Sequence, residues 1–297
     1  MTTLANIAPP APDELVTVVG PTASGKTGLA IELCERWDGE VIGADSVQIY
    51  RYFDVGSGKP TAAERARAPH HLVDVIDPLA PFDAGRFVAM ADEAIAAVRA
   101  RGRRPIVCGG TFLWVKALLY GLAPSAPADE AIRARHVARA EEEGRAALHA
   151  QLAAVDPGCA ERLAPNDLVR VSRALEVYEL TGKTQSEWHA EHQFGEARHR
   201  PRLLGVERPR EAIDRRIAER ARGWLDADWI DEVRDLLDRG YGEARAMASV
   251  GYRQVRDHVL GELGRSDLHE AVVRATRKFV RRQRTWLRDE PVDWVSL

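Results

Sequence analysis

Apolar residues follow two periods along this chain, and the segments with each period alternate. Runs rich in apolar residues, typical of strands buried on both faces, occupy residues 15–19, 40–46, 70–78, 105–108 and 202–206. In other segments apolar residues recur every three or four positions and predict helices, as at Leu29, Leu33 and Trp37. Alternating strands and helices of this length predict an α/β fold, in which helices flank a parallel sheet.

The middle of the chain breaks this alternation. Between Gly121 and Arg200 the composition shifts to Ala, Arg, Glu and His in helical rhythm, without strand-like runs. We therefore expect residues 122–200 to form an all-helical insertion domain, carried on a core of residues 13–121 and 201–297. Residues 1–12 are rich in Ala and Pro, which predicts a flexible tail rather than a signal peptide.

One loop between a predicted strand and a predicted helix carries the clearest chemistry. It reads G-x-x-x-x-G-K-T, which is the pattern of a phosphate-binding loop, or P-loop, and consists of Gly20, Pro21, Thr22, Ala23, Ser24, Gly25, Lys26 and Thr27. Backbone N–H groups at the helix start bind an anion, Lys26 adds a positive charge, and Thr27 offers a hydroxyl to Mg²⁺. The sequence therefore predicts a P-loop NTPase-like sheet that binds a diphosphate or triphosphate.

Two further polar segments follow predicted strands and should meet the loop at the same edge of the sheet. They are Asp45-Ser46 and Gly109-Gly110-Thr111, and ligands bind at the carboxyl ends of such strands. Asp45 has two plausible roles, either as a ligand of Mg²⁺ or as the base that takes a proton from a nucleophile. The segment Gly56–Pro60 also contains G-x-G-K, but no strand precedes it and a proline follows, so we expect a surface turn. His70-His71 lacks further ligands at suitable spacing and is expected to have a structural role.

The charge of the chain is nearly balanced overall but not locally. Net charge is only −3, so any surface for nucleic acid must be local. Arg277, Arg281, Arg284 and Arg288 form one stripe of a predicted helix that has no acidic residue from 274 to 288. Like charges along one stripe repel, and a polyanionic partner explains their presence. The three cysteines are far apart and fit a reducing cytoplasm, and no apolar run is long enough to cross a membrane.

Several short segments in a fixed order tie these features together. They are Gly20–Thr27, Ala44–Arg51, His70–Leu72 with Asp77-Pro78, Gly109–Thr111, Asn166-Asp167 with Arg170–Val177, Val250–Gln254 and Arg282–Arg288. In combination they resemble the tRNA dimethylallyltransferases, and the resemblance runs from about residue 15 to 290. The chain departs from the family's pattern at Phe112-Leu113-Trp114 and at Val169.

The resemblance implies an Mg²⁺-dependent prenyl transfer to tRNA. A dimethylallyl group would pass from dimethylallyl diphosphate to the exocyclic N6 of the adenine that follows the anticodon on its 3′ side, and diphosphate would leave. Asp45, Lys26, Thr111 and Arg220 are the implied catalytic residues, with Mg²⁺ near Thr27. The implied tRNA-binding positions are Asp45, Ser46, Val47, Gln48, Thr111, Arg133, Val169, Arg170, Val171, Ser172, Arg173, Ala248, Ser249, Val250, Gly251, Tyr252, Arg253, Arg281, Arg282, Gln283, Arg284, Thr285, Trp286, Leu287 and Arg288.

Three alternatives use the same residues differently. A small-molecule kinase or ATPase would bind ATP in the loop and hold Mg²⁺ with Asp45. An adenylate isopentenyltransferase would prenylate a free nucleotide, although a free nucleotide needs neither the helical insertion nor the basic helix. A non-catalytic RNA-binding protein would retain the loop without using it for catalysis, and the intact Lys26-Thr27 pair argues against this alternative.

We expect a monomer that works in the cytoplasm on the anticodon stem-loop of tRNA, without a membrane.

Overall fold

The structure is a computed structural model that describes residues 2–123, 126–192 and 196–296. Within these residues seven strands form one sheet, in the order β1-β7-β6-β2-β5-β3-β4, and every pair of neighbours is parallel. The strands are β1 (Thr2–Thr3), β2 (Glu14–Val19), β3 (Gly39–Ala44), β4 (His70–His71), β5 (Arg104–Gly109), β6 (Arg200–Glu207) and β7 (Val292–Ser296).

Helices fill most of the chain between and after these strands. They are α1 (Lys26–Trp37), α2 (Ala62–Arg67), α3 (Ala84–Ala100), α4 (Phe112–Tyr120), α5 (Glu130–Glu142), α6 (Arg145–Val155), α7 (Pro157–Arg162), α8 (Leu168–Thr181), α9 (Gln185–His192), α10 (Arg210–Asp226), α11 (Trp229–Asp238), α12 (Tyr252–Val259) and α13 (Arg265–Leu287). The predicted α/β class is therefore confirmed.

The register of the central strands brings their carboxyl ends level with one another. Val19 at the end of β2 lies opposite Gly109 of β5 and Gly205 of β6, and Ala44 of β3 lies opposite Gly109. β2 and β3 are almost entirely buried, and α1 packs Leu29, Leu33 and Trp37 against the sheet. The segments that follow β2, β3, β5 and β6 therefore share one edge of the sheet.

The two ends of the chain differ from the prediction. Residues 1–12 were expected to be a flexible tail, yet Thr2–Thr3 pair with β7, and Ile7 is buried in the core beside β2 and α1. β7 was not predicted at all. β1 has only two residues and lies at the edge of the sheet, and β7 has only five residues between β1 and β6, so neither is long enough to produce a period that a sequence pattern can reveal.

The predicted strand at residues 70–78 is confined to His70–His71. Leu72 and Asp74 adopt left-handed backbone conformations, with φ of 58° and 64°, which end the extended segment. The imidazole of His71 hydrogen-bonds the carboxylate of Glu40 (Nε2 to Oε2, 2.5 Å), and Nδ1 of His70 contacts the carbonyl of Ala68. The structural role predicted for this histidine pair is confirmed.

The chain divides into two compact units. Unit 1 comprises Met1–Leu119 and Ala197–Leu297, and unit 2 comprises Tyr120–Glu196. The sequence predicted an insertion over residues 122–200, and the described part of unit 2 is helical, with α5, α6 and α8 packed around Leu148, Leu152 and Leu175. Among the described residues of the chain, no helix is both long and apolar enough to cross a membrane.

Candidate active site

The loop of residues 20–27 joins β2 to α1 in the geometry that anion binding requires. Gly25 caps α1 with φ of 103°, a left-handed conformation that glycine adopts freely, and Ala23 also has a positive φ of 65°. The hydroxyl of Ser24 is buried and has no hydrogen-bond partner among the described residues. An unpaired buried hydroxyl beside the free amides of a helix start is a site for an oxyanion.

Arginines from the last third of the chain hold this loop from outside. Arg220 donates to Oγ1 of Thr22 (2.7 Å), Arg216 donates to the carbonyl of Ala23 (2.9 Å), and Arg208 donates to the carbonyl of Ser24 (2.5 Å). The resemblance implied a role for Arg220 of α10, and the structure places both Arg220 and Arg216 on the loop. Sequence analysis missed Arg208, whose only signal is its position directly after β6.

Positive charge exceeds negative charge around the loop. Burial lowers the pKa of Lys26, and burial together with the charge of Arg216 lowers the pKa of Arg220 to about 10, which still leaves it protonated at neutral pH. Asp45 is the carboxylate that opposes both shifts. These groups line a cleft of about 580 Å³, here named the anion cleft, which also contains Thr27, Arg208 and Arg216. A multiply charged anion would balance the excess charge.

Asp45 lies in a tight turn directly after β3. Its Oδ1 accepts hydrogen bonds from the amides of Val47 (3.0 Å) and Gln48 (3.3 Å), whereas Oδ2 has no hydrogen bond among the described residues. Thr111 fixes the same turn, since its Oγ1 accepts from the amide of Ser46 (2.9 Å) and donates to the hydroxyl of Ser46 (3.2 Å). One carboxylate oxygen is thus anchored and the other is available to take a proton.

A central cavity of about 300 Å³ connects the loop with Asp45. Thr22, Asp45, Thr111 and Arg220 contribute polar groups to its lining, as do Ser46, Ser57, Ser249, Thr276 and Arg282. Its apolar lining consists of Ile217, Ala221, Trp224, Trp229, Val250, Val272 and Phe279, with the small residues Val47 and Ala248. Such a cavity suits a ligand with a charged head and a short hydrocarbon part, beside a flat aromatic group.

The segment Gly56–Pro60 borders this cavity as a turn, so the prediction of a turn rather than a second phosphate loop is confirmed. Gly56 must be glycine, because a Cβ there would lie 2.1 Å from Nε1 of Trp229. Gln48 donates from its side chain to the carbonyls of Ser57 and Gly58 (3.1 and 2.9 Å). Both N–H groups of its amide are therefore committed to this turn instead of facing RNA.

The predicted RNA positions of unit 1 separate into cavity-lining, exposed and buried residues. Ala248, Ser249, Val250 and Gly251 line the central cavity, and Arg253 is exposed. Tyr252 is fully buried and its hydroxyl donates to Glu232 (2.6 Å), so its side chain is not an RNA contact. At the end of α13, Gln283 and Leu287 are buried, whereas the exposed residues are Arg281, Arg282, Arg284, Thr285, Trp286 and, directly after the helix, Arg288.

The exposed arginines of α13 contribute to a second, basic cavity. A cleft of about 690 Å³, here named the arginine cleft, is lined by Arg208, Arg210, Arg281, Arg284 and Arg288, with Trp294 and Pro21. Arg277 of the predicted stripe is paired with Asp214 (3.3 Å), but Arg281, Arg284 and Arg288 have no acidic partner among the described residues. The charge available to a polyanion is therefore concentrated at the end of the helix.

In unit 2, a buried carboxylate organises two of the predicted RNA positions. Arg133 donates both Nε and a terminal nitrogen to Glu176 (2.9 and 3.0 Å), and Arg173 donates to the same carboxylate (2.5 Å) and to the carbonyl of Ala126. Burial alone would raise the pKa of Glu176, but these hydrogen bonds lower it.

The other predicted positions of unit 2 differ in exposure. Val171 and Ser172 are buried, so their side chains serve packing and a hydrogen bond to His136 rather than RNA. Val169 and Arg170 are exposed. The segment Arg170–Val177, recognised by resemblance, lies in α8, but the helical period determines which of its residues face solvent.

The residues present fit a magnesium ion. The hydroxyl of Thr27 and the carboxylate of Asp45 line the same anion cleft, and both are the hard oxygen ligands that Mg²⁺ prefers. Among the described residues there is no group of three or more His, Cys, Asp or Glu that could hold a metal. Mg²⁺ usually needs no such group, because it binds through one or two side chains together with substrate phosphates and water.

The fold and this site define a P-loop α/β protein in which a carboxylate with one free oxygen lies at the same edge of the sheet as the loop. Comparison with known proteins narrows the class. The family model described as IPP transferase matches residues 48–290, and that described as isopentenyl transferase matches residues 13–70. The chain belongs to the IPP transferase family.

Similar proteins cover nearly the whole chain. The tRNA dimethylallyltransferase of Sorangium cellulosum is 68% identical over 98% of this chain and 93% of its own length. The tRNA dimethylallyltransferase of Anaeromyxobacter dehalogenans is 49% identical over 95% of this chain and 92% of its own length. The crystal structure of the tRNA isopentenylpyrophosphate transferase of Bacillus halodurans is similar with a TM-score of 0.70 and 34% identity, over 96% of this chain and 90% of that chain.

Proposed function

We propose that the chain transfers a dimethylallyl group from dimethylallyl diphosphate to the exocyclic N6 of the adenine 3′ to the anticodon in tRNA, releasing diphosphate. One observation carries this proposal: a single cavity is lined by Thr22 of the P-loop, by Asp45, and by apolar residues of α10 and α13. The names of the similar proteins, which are tRNA dimethylallyltransferases, support it.

The chemistry requires two groups acting at opposite sides of one carbon. The N6 nitrogen forms a bond to C1 of the dimethylallyl group while the bond from C1 to the diphosphate oxygen breaks, and its electron pair leaves with diphosphate. Lys26, Arg220, the hydroxyl of Ser24 and the first amides of α1 would stabilise the negative charge that develops on the diphosphate. The loop is held in place before the substrate arrives, so little reorganisation is needed at the moment of reaction.

The second group is the base. The amino group of adenine is a weak nucleophile because its lone pair is delocalised into the ring, and its proton becomes acidic as the new bond forms. Oδ2 of Asp45 can accept that proton, since Oδ1 is already fixed by the amides of Val47 and Gln48. The target adenine must leave the base stack of the anticodon loop to reach Asp45. The apolar wall with Trp224 and Phe279 offers a surface for the hydrocarbon and the purine.

The proposal also covers the metal ion, the surface that binds tRNA, the oligomeric state and the cellular compartment. Mg²⁺, held by Thr27 with the diphosphate oxygens, would supply further charge stabilisation for the leaving group. The unpaired arginines of α13 would hold the phosphates of the anticodon stem-loop. We also propose a monomer in the cytoplasm, and the three free, buried cysteines are compatible with a reducing compartment.

The test is the substitution Asp45→Asn. The Asn side chain keeps an oxygen for the amides of Val47 and Gln48 but cannot take a proton, so the single-turnover rate of prenyl transfer should fall by about 10²–10⁴. Binding of tRNA and of inorganic pyrophosphate should change less than threefold. Mass analysis of adenosine from hypomodified tRNA measures the product after incubation with dimethylallyl diphosphate and Mg²⁺.

Asp83→Asn is the matched control, because Asp83 also accepts a backbone N–H (from Arg86, 2.9 Å) but does so at the exposed start of α3. This control should react at the wild-type rate. Near-normal single-turnover chemistry in Asp45→Asn would refute its role as the base. Phosphoryl transfer from labelled ATP, or prenylation of free AMP in preference to tRNA, would refute the proposed function itself.

A further inference from the structure

Gln283 is buried, unlike the other polar residues of the segment from Arg281 to Arg288. The helix segment from Arg281 to Arg288 is strongly basic and largely exposed, yet Gln283 is only 4% exposed. Because Gln283 lies in the segment Arg282–Arg288, which resembles the tRNA dimethylallyltransferases, it was expected to contact RNA. The structure instead turns this side chain inward, toward the edge of the sheet where the loops of the site meet.

The carboxamide of Gln283 bridges two of those loops. Oε1 accepts a hydrogen bond from the amide of Thr22 (2.8 Å), and Nε2 donates to the carbonyl of Gly110 (3.0 Å). The two partners are 261 and 173 positions away along the chain. A Cβ on Gly110 would lie 2.6 Å from Nε2, so a glycine at that position is what permits the approach.

Each end of this bridge leads to a different half of the proposed chemistry. Thr22 belongs to the diphosphate loop, and with its amide bound to Gln283 and its hydroxyl bound to Arg220, its position is fixed at two points. Gly110 precedes Thr111, whose hydroxyl holds Ser46 and with it the turn that carries Asp45. The bridge therefore sets the distance between the leaving-group site and the base.

Only an amide satisfies both partners at once. The site needs an acceptor for the N–H of Thr22 and a donor for the carbonyl of Gly110 within one planar group. Methionine has a similar size but provides neither, and an ionised carboxylate provides only the acceptor. Because Gly110 is buried and Thr22 is half-buried, losing the bridge leaves a carbonyl and an amide without partners and drives the loops to rearrange.

We propose that Gln283 is a positioning residue that aligns the diphosphate loop with the turn of Asp45, and that it does not contact RNA. The inference rests on the proposed function, because the aligned groups are the leaving-group site and the base. It assigns to a residue of the basic helix a role in the chemical step rather than in binding tRNA.

The experiment separates these roles by comparing turnover with binding. Gln283→Met should lower kcat for prenyl transfer by about 10-fold to 100-fold, the usual effect of a small misplacement of reacting groups. The Kd for tRNA, measured by filter binding without donor, should stay within twofold of wild type. A variant with normal kcat and weakened tRNA binding would overturn the proposal in favour of an RNA contact.

Two further variants keep the test decisive. Gln151→Met is the matched control, because Gln151 of unit 2 also accepts a hydrogen bond through its amide (from Arg139, 2.8 Å), and it should keep the wild-type kcat. Gln283→Glu should gain activity relative to wild type as pH falls from 8 to 5.5, because a protonated carboxyl again offers one donor and one acceptor. A ratio to wild type that stays constant with pH contradicts the two-bond bridge.

The outcomes also distinguish this inference from the proposed function. If the wild-type protein does not prenylate tRNA, the proposed function fails and no variant is needed. If the wild-type protein is active and Gln283→Met, normalised to folded protein by its unfolding transition, has the wild-type kcat, only the inference fails.

Discussion

At the scale of single residues, the loop of residues 20–27 is built to hold more negative charge than the protein supplies. Burial lowers the pKa of Lys26 and the pKa of Arg220. The negative charge of Asp45 acts in the opposite direction on both pKa values. A cluster of desolvated cations is unfavourable until an anion neutralises it. A diphosphate that binds beside these cations would therefore relieve the cost of burying them.

This arrangement makes Lys26 the most sensitive residue for diphosphate binding. Lys26→Ala should weaken the binding of inorganic pyrophosphate by at least about 10-fold, since a charge-assisted hydrogen bond contributes about 1.5–3 kcal/mol. Isothermal titration calorimetry in the presence of Mg²⁺ measures the change. Lys278→Ala, on the exposed side of α13, is the control and should bind as wild type. Unchanged affinity in Lys26→Ala would exclude the loop as the diphosphate site.

The role of a residue could be predicted from the sequence where it depends on a local motif. It could not be predicted where tertiary packing determines which way the side chain faces. The loop spacing and the position of Asp45 after a strand locate both groups correctly at one edge of the sheet. The sequence motifs do not reveal that Gln283 and Tyr252 face inward, or that Thr111 hydrogen-bonds the turn that carries Asp45. Those facts depend on contacts between segments more than 60 positions apart, which no local pattern encodes.

At the scale of elements, one buried carboxylate anchors the start of β3 to the elements around it. Glu40 is 3% exposed and accepts hydrogen bonds from Arg101 and Arg103, which follow α3, and from His71 of β4. Burial alone would raise the pKa of Glu40, but these partners outweigh it and bring the pKa to about 2. The pattern of apolar residues could not reveal this anchor, because it identifies strands but not the polar groups that fix their ends.

A depressed pKa makes this anchor pH-dependent. Its contribution to the free energy of unfolding is complete above the unfolded pKa of 4.5 and is lost as pH falls toward 2. Glu40→Gln should reduce the free energy of unfolding by about 2 kcal/mol at pH 7, a figure discounted for the half-exposed arginines. Urea titrations should show the difference from wild type shrinking between pH 4.5 and 3. Glu93→Gln, on the exposed side of α3, should show no such difference, and a gap that persists at pH 3 would contradict the prediction.

At the scale of the whole molecule, function requires the charge to be unevenly distributed. The chain is slightly acidic, with a net charge of −3, yet five arginines line one cleft. Arg208 and Arg210 lie just before and at the start of α10, and Arg281, Arg284 and Arg288 lie at the end of α13 and directly after it. Arg281, Arg284 and Arg288 have no acidic partner in the described part of the chain. A protein of this net charge can approach a polyanion only through such a local surface.

The salt dependence of tRNA binding tests this surface. Each phosphate contact that is lost lowers the slope of log K against log salt by about one, so Arg281→Glu with Arg284→Glu should lower it by about two and weaken binding at all salt concentrations. Fluorescence anisotropy with a labelled anticodon stem-loop between 50 and 300 mM KCl measures the slope. Arg99→Glu with Arg234→Glu, exposed residues of α3 and α11, gives a protein of the same net charge. If both double variants lose the same slope, net charge rather than the arginine cleft attracts the RNA, whereas a loss confined to the first variant locates the RNA on α13.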